Sequence, residues 1–300
     1  MDIEFETSFD PRHGEAVPVA HRVLRVTGRN LGPFTFQGTN SYIAGDGSVV
    51  VVDPGPDEDG HFEALMAAIA GRPVDAILVT HTHRDHTALV DRLRSATGAP
   101  VVAEGPHRAT RALQEGEVNA MEAAGDMAFR PDRLARDGEI LDFPAGRFEA
   151  VATPGHTANH MAFAFGDTLF SGDHVMVWST TIVAPPDGAM ADYMASLDRL
   201  LARDETLFLP GHGGPVRKPK AFMRGLKTHR RMRETAILER LHGGDRTIPE
   251  IVAAIYRQTD PRLHGAAGLS VLAHLEDLVA KGAVTTDGAV LIDSIFMPAP

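Results

Sequence analysis

The 300-residue chain has no cysteine, a single tryptophan and three tyrosines. Without a thiol there is no cysteine nucleophile, no disulfide framework, no cysteine-bound zinc and no iron–sulfur cluster. Long hydrophobic runs are missing too: nothing approaches the roughly 18 apolar residues that suggest a membrane span. The acidic opening, MDIEFETSFDPRH, holds no apolar stretch, so no secretory leader is expected and the cytoplasm is the expected compartment. With 43% hydrophobic and 23% charged residues, disordered and collagen-like classes are excluded.

Positive charge is scarce except in one place. Residues 1–216 hold 16 Lys+Arg against 31 Asp+Glu, whereas residues 217–240 hold 9 against 2. An acidic body is followed by a short basic segment.

Short apolar runs alternate with helical patterns and Gly/Pro/His-rich loops over the first two-thirds of the chain. Strand-like runs are Ser48–Asp53, Ala76–Thr80, Phe148–Thr153, Met161–Phe165, Thr168–Ser171 and Thr206–Leu209. Helices are expected at His61–Ala70, His86–Ala96 and Ala189–Ala202. This is a mixed α/β pattern. Near Pro210–Pro215 the character changes to a long helical stretch, Lys218–Leu241, stopped by Gly243-Gly244. Thr247-Ile-Pro-Glu250 reads as a capping box opening a helix to Tyr256, and Leu269–Lys281 reads as a further helix. Ala283–Ile292 reads as a hairpin around Asp287-Gly288. Three helices and a two-stranded wing give the order of a winged helix-turn-helix. Two domains are therefore expected, residues 1–215 and 216–300.

Four loops that follow apolar runs carry the reactive residues: Thr80-His81-Thr-His83-Arg84-Asp85-His86, Thr153-Pro-Gly-His156-Thr157, Ser171-Gly-Asp173-His174 and Pro210-Gly-His212-Gly213. Imidazole and carboxylate at strand ends are metal ligands by type. In an extended segment His81 and His83 point to one side, while Asp85 and His86 point to a second position as the chain turns. One loop can thus serve two metals, with Asp173 bridging and His156 and His212 completing the shells. Two cations sharing one water lower its pKa enough to hold a hydroxide near neutral pH. His13, His61 and His274 are read as structural.

These motifs, HTHRDH, TPGHT, SGD and PGHG, resemble those of the metallo-β-lactamase-fold hydrolases over about residues 20–215. The resemblance implies a four-layer αβ/βα sandwich with a dinuclear cleft at the sheet edge, followed by a small C-terminal winged-helix domain. It assigns His81, His83 and His156 to one metal and Asp85, His86 and His212 to the other, with Asp173 between them. Asp53, in VVVVDPG, matches an acidic residue that orients the metal histidines. Two Zn2+ ions are expected, with Mn2+ or Fe2+ as the other ions this donor set accepts. Asp85 and His160 are the candidate catalytic groups, His160 as leaving-group acid or oxyanion donor, with a packing histidine that supports the ligands as its equal alternative. Residue 83 is His where flavo-diiron members carry Glu, which argues against oxygen reduction. His174 departs from the small residue or cysteine expected after Asp173.

The stretches 32–45, 156–161 and 178–197, with the winged-helix order, resemble the lactamase-β-like subfamily, which includes endoribonucleases acting on single-stranded RNA. That is the leading substrate expectation, with Lys227, Arg230, Arg231 and Arg233 as phosphate contacts. The alternative is a small-molecule thioester or lactone hydrolase resembling glyoxalase II, which the acidic body suits better. Specific DNA binding is not expected, because Leu269–Lys281 offers His274, Glu276, Asp277 and Lys281 but no arginine. Core filling is expected of Phe34 and Phe36, with a stacking or lid role as the other reading. No membrane association is expected, and an oligomer is left open.

Overall fold

The computed structural model describes residues 3–300. Seven strands form the first sheet, hydrogen-bonded in chain order: β1 (Val17–Ala20), β2 (Val23–Thr27), β3 (Asn40–Ala44), β4 (Val49–Val52), β5 (Val74–Leu78), β6 (Val101–Ala103) and β7 (Arg133–Leu134). The first four are antiparallel, and β4 to β7 run parallel. The second sheet holds β8 (Ile140–Phe143), β9 (Gly146–Ala152), β10 (Met161–Phe165), β11 (Thr168–Gly172) and β12 (Leu207–Pro210), with only β11 and β12 parallel.

The layering follows from two-residue periodicity. Val50 and Val52 face inward, where they meet Phe148, Phe163 and Phe170 of the second sheet. Their neighbours Val49 and Val51 face outward, under α1 (Asp59–Ile69) and α3 (Val90–Thr97), which follows the single turn α2 (Arg84–Thr87). On the far side Val151, Ala162, Leu169 and Phe208 are covered by α4 (Met190–Leu201). The result is helix, sheet, sheet, helix.

The long helix α5 (Pro219–His242) does two jobs. Met223 and Leu226 near its start are buried in the same cluster as Tyr193 and Leu197 of α4. Ile237 and Leu241 near its end join α6 (Ile248–Ile255), α7 (His264–Ala280) and the small sheet of β13 (Val284–Thr286) and β14 (Phe296–Pro298). The capping box at Thr247 and Glu250 is formed.

Two expectations need correcting here. The wing does not fold tightly around Asp287-Gly288: Val284–Thr286 pairs with Phe296–Pro298. Fully buried Phe296 anchors the second strand, while Val290 is drawn away by paired hydrogen bonds with the Gln114 side chain. The helix expected over His86–Ala96 is split into α2 and α3, where the Leu89 amide turns to the Gly55 carbonyl. The α7 groups offered for DNA are engaged: His274 is buried, Glu276 pairs with Arg111, and Lys281 pairs with Asp277 and Glu234. Among the described residues, no helix is long and apolar enough to cross a membrane.

Candidate metal centre

The cleft opens where β4, β5, β11 and β12 end and their loops converge. Asp53 leaves β4 with φ of 52°, a left-handed conformation that Asp tolerates better than most residues. Its Oδ1 accepts the Thr80 amide (2.7 Å), and its Oδ2 accepts the Thr80 hydroxyl (2.7 Å) and His86 Nδ1–H (2.9 Å). One buried carboxylate thereby fixes both the loop after β5 and the ring at its far end.

These bonds also decide which nitrogens carry hydrogen. The Thr80 hydroxyl has given its proton to Asp53, so at 3.1 Å it accepts from His81 Nδ1, which leaves His81 Nε2 bare. His156 Nδ1 donates to the Ile182 carbonyl at 2.7 Å, leaving its Nε2 bare as well. Both bare nitrogens face His83 Nδ1, at 3.1 and 3.0 Å. One ring proton cannot satisfy two lone pairs. A cation among the three nitrogens can.

The second group is built the same way. His86 Nε2 lies 3.5 Å from Asp85 Oδ2 and 3.6 Å from Asp173 Oδ1, with no hydrogen-bond partner, and Asp173 Oδ1 is likewise buried and unpartnered. His212 Nε2 stands 3.3 Å from both Asp85 and Asp173. Donor atoms of His81/His83/His156, of His81/His86/Asp173 and of Asp85/His86/His212 each fall within 4.8 Å of one another. The structure therefore brings all seven residues into one cleft. Orphaned donor atoms, pinned tautomers and two carboxylates among five imidazoles fit divalent metal.

Electrostatics divide the cluster. Burial and neighbouring rings hold His81 well below its usual pKa, and burial with His156 lowers His83 to about 3. Burial opposes charge at His86 too, but Asp85, Asp173 and Asp53 overcome it and raise the ring to about 9. Asp85 and Asp173 stay ionised against burial because His86 and His212 lie beside them.

His160 does not stand where a leaving-group acid is needed. It is buried behind the cluster, its Nδ1 bonded to the Thr153 hydroxyl (2.8 Å) and its Nε2 accepting the Asp173 amide (3.2 Å). With both nitrogens occupied, it positions Asp173. The core-filling reading fails for Phe34, whereas Phe36 is half-buried and packs against Phe9 as well as Trp178. Phe34 is 48% exposed and lines the cleft, and Phe36 stacks on Trp178 with ring centres 4.7 Å apart.

Of the expected phosphate contacts, Arg230 is buried against the Thr181 carbonyl and the Ser270 hydroxyl, and Lys227 is nine-tenths covered and paired with Asp198. Neither lies on an exposed surface that a polynucleotide could follow. Sequence reasoning placed Thr80 in the ligand loop without a role, and missed the Ile182 carbonyl, Asn40 and Gly211. Asn40 bonds the Pro210 and Gly213 carbonyls on either side of His212. The Gly in PGHG was the available signal for Gly211, since a Cβ there would lie 2.3 Å from Asp173 Oδ1.

Residues 34–212 match the family model of the metallo-beta-lactamase superfamily. The chain belongs to that superfamily. Residues 247–291 match the beta-lactamase associated winged helix domain, so this superfamily hydrolase carries a winged helix at its C-terminal end. It is 29% identical to a beta-lactamase-like protein 2 homolog of Drosophila melanogaster over 87% of this chain and 88% of that one. It is 30% identical to an atrochrysone carboxyl ACP thioesterase of Paecilomyces divaricatus, over 66% of this chain and 57% of that one. Among solved structures, a beta-lactamase domain protein from Burkholderia ambifaria superposes with a TM-score of 0.78 at 22% identity, covering 97% of this chain and 95% of that one. A protein solved in a di-iron-bound form gives a TM-score of 0.50 at 33% identity over 68% of this chain and 96% of that one.

Proposed function

We propose that this metallo-beta-lactamase superfamily hydrolase cleaves a thioester or ester bond in a small acyl substrate, using two divalent metal ions. The observation that carries this reading is the cleft itself. It encloses about 310 Å³ and is walled by Phe34, Met121, Met176, Trp178 and Ile182 beside the metal cluster. Arg84 is the one Lys or Arg lining it among the described residues. Such a space suits an acyl chain; a polynucleotide needs a track of cations to follow its phosphates. The thioesterase among the relatives supports the same chemistry.

His81, His83 and His156 would hold one metal and Asp85, His86 and His212 the other, with Asp173 shared. Zinc is the ion we favour; iron and manganese suit the same N/O donors, and the di-iron relative supports iron as the alternative. When bound, the pair supplies Lewis acidity and makes a nearby water acidic enough to attack. The protein does the rest. Apolar walls hold the acyl group and exclude bulk water. Asp85, the most open of the seven and part of the cleft lining, is placed to accept the proton that the attacking water sheds. The water oxygen bonds the carbonyl carbon, and the carbon–sulfur bond breaks with its electron pair leaving on sulfur. That sulfur then takes the proton back from Asp85, giving an acid and a thiol.

A turnover screen of metal-loaded protein on an acyl thioester, a lactone, a β-lactam and a single-stranded RNA oligomer tests the assignment. The expected result is thioester or ester cleavage that stops after chelation. Elemental analysis should return about two metal equivalents for the unaltered chain and fewer than one for Asp173→Ala, because Asp173 is shared. Rapid RNA cleavage with inert thioesters would overturn the substrate assignment, and less than one equivalent in the unaltered chain would overturn the metal pair.

A further inference from the structure

A second cavity of about 300 Å³ adjoins the metal cleft. Phe34, Trp178, Ser179 and Thr180 line both, so the two spaces share a wall. The second lies between the catalytic body and the winged helix, and its chemistry is different. His229, Arg230 and Arg233 of α5 face it, and among the described residues no Asp or Glu lines it.

The cations there are under-satisfied. Arg230 is 3% exposed and pairs with no carboxylate; its partners are the Thr181 carbonyl and the Ser270 hydroxyl, with the Tyr193 ring 5.2 Å away. Arg230 Nε, Arg233 Nε, His229 Nδ1 and the indole Trp178 Nε1 are all buried without a hydrogen-bond partner. The Arg233 guanidinium lies over Tyr256, 4.7 Å from its centre, which fixes its plane. A buried guanidinium without an anion is costly, and so is each unmade hydrogen bond. Two guanidiniums line one cavity that offers them no carboxylate, and the group that would match them is an oxyanion. Two guanidiniums one helical turn apart suit a phosphate group, whose several oxygens can meet both at once.

We infer that this cavity is a phosphate-binding subsite for the leaving-group arm of the substrate: the acyl end occupies the metal cleft while a phosphate on the thiol arm is held by Arg230 and Arg233. The inference rests on the thioesterase reading for its substrate and on the cavity alone for its anion. Burial lowers His229 to about 4, with Arg230 and Arg233 adding to the shift, so the ring beside them is neutral.

The chain's one tryptophan, Trp178, sits on the shared wall and reports occupancy by its fluorescence. Titration of the metal-loaded protein with S-methyl phosphopantetheine and with S-methyl pantetheine compares arms that differ only in the phosphate. The phosphorylated arm should bind about tenfold more tightly or better, the scale of a charge-assisted contact. Arg233→Gln should bring the two within about twofold at an unchanged melting temperature, and Arg233→Lys should restore part of the preference. Equal binding by the unaltered protein, or a preference that survives Arg233→Gln, would overturn the subsite. A stronger response to a single-stranded RNA oligomer than to the phosphorylated arm would overturn it as well. Phosphate selectivity without hydrolysis of either acylated arm would instead remove the thioesterase reading and leave the anion site standing.

Discussion

Asp53 shows how much of this centre depends on groups that never reach the cleft. Its two oxygens hold Thr80 and His86, and through Thr80 they settle which nitrogen of His81 is bare. Gly211 plays a complementary part by leaving room. Its absent side chain is what lets Asp173 and His86 approach, since a Cβ there would meet Asp173 Oδ1 at 2.3 Å and His86 Cε1 at 2.6 Å. Gly211→Ala should therefore leave the fold intact yet displace the shared carboxylate. Metal content should fall by at least one equivalent, measured by elemental analysis, with little change in far-ultraviolet circular dichroism. At this scale the sequence was informative about side chains and silent about backbone. HTHRDH, TPGHT, SGD and PGHG drew attention to the residues that the structure gathers. The Ile182 carbonyl carries no sequence signal at all, because any residue would supply one. For His160 the spacing from His156 left a catalytic and a packing role equally open, because it says nothing about which way a ring points.

Elements were legible where burial is simple and obscure where it is not. Val49–Val52 declares itself because both of its faces are covered. Neighbouring β3 begins Asn-Ser, which reads as a loop, yet every one of its residues is buried. Asn40 is satisfied across the molecule by the Pro210 and Gly213 carbonyls, a long-range arrangement that no local pattern announces. The wing was misdrawn for a related reason: Asp287-Gly288 is a good turn signal, but Phe296 outweighs it by filling the small core. Helix α5 raises a sharper question. Met223 and Leu226 are fully buried against the catalytic body although they lie beyond Pro215. A fragment ending at residue 215 would uncover Tyr193 and Leu197 as well as lose these two side chains. Losing each large buried side chain costs about 2–5 kcal/mol. The fragment should aggregate on expression, while one ending at residue 234 should stay soluble and bind metal; equal solubility of the two would show that α5 is dispensable to the body.

For the whole molecule, buried neutral histidines predict a loss of stability in acid. Burial holds His61 to about 4 and His274 to about 3. Both are depressed below the unfolded value of about 6.5, so the unfolded chain takes up protons first. Their contribution to stability is full above about pH 6.5 and is lost as pH falls towards the folded values, at up to about 1.4 kcal/mol per pH unit for each proton. Urea midpoints should therefore drop between pH 7 and pH 5 in chelated protein. His274→Leu should flatten that slope, because His274 is buried with both ring nitrogens unpartnered and gains nothing from its polarity. An unchanged slope would place the acid sensitivity elsewhere.

The long helix that joins the two halves also acts as a shaft with a fixed phase. Met223, Leu226, Arg230, Ile237 and Leu241 fall at steps that return to one stripe, serving the catalytic body at one end and the wing at the other. One residue added between Arg230 and Ile237 would turn the wing by about 100° and advance it about 1.5 Å relative to the cleft. Substitutions along its solvent face are free to accumulate, but its length is not. Over evolutionary time this stretch should change in letters and resist change in number, the reverse of how a linker drifts.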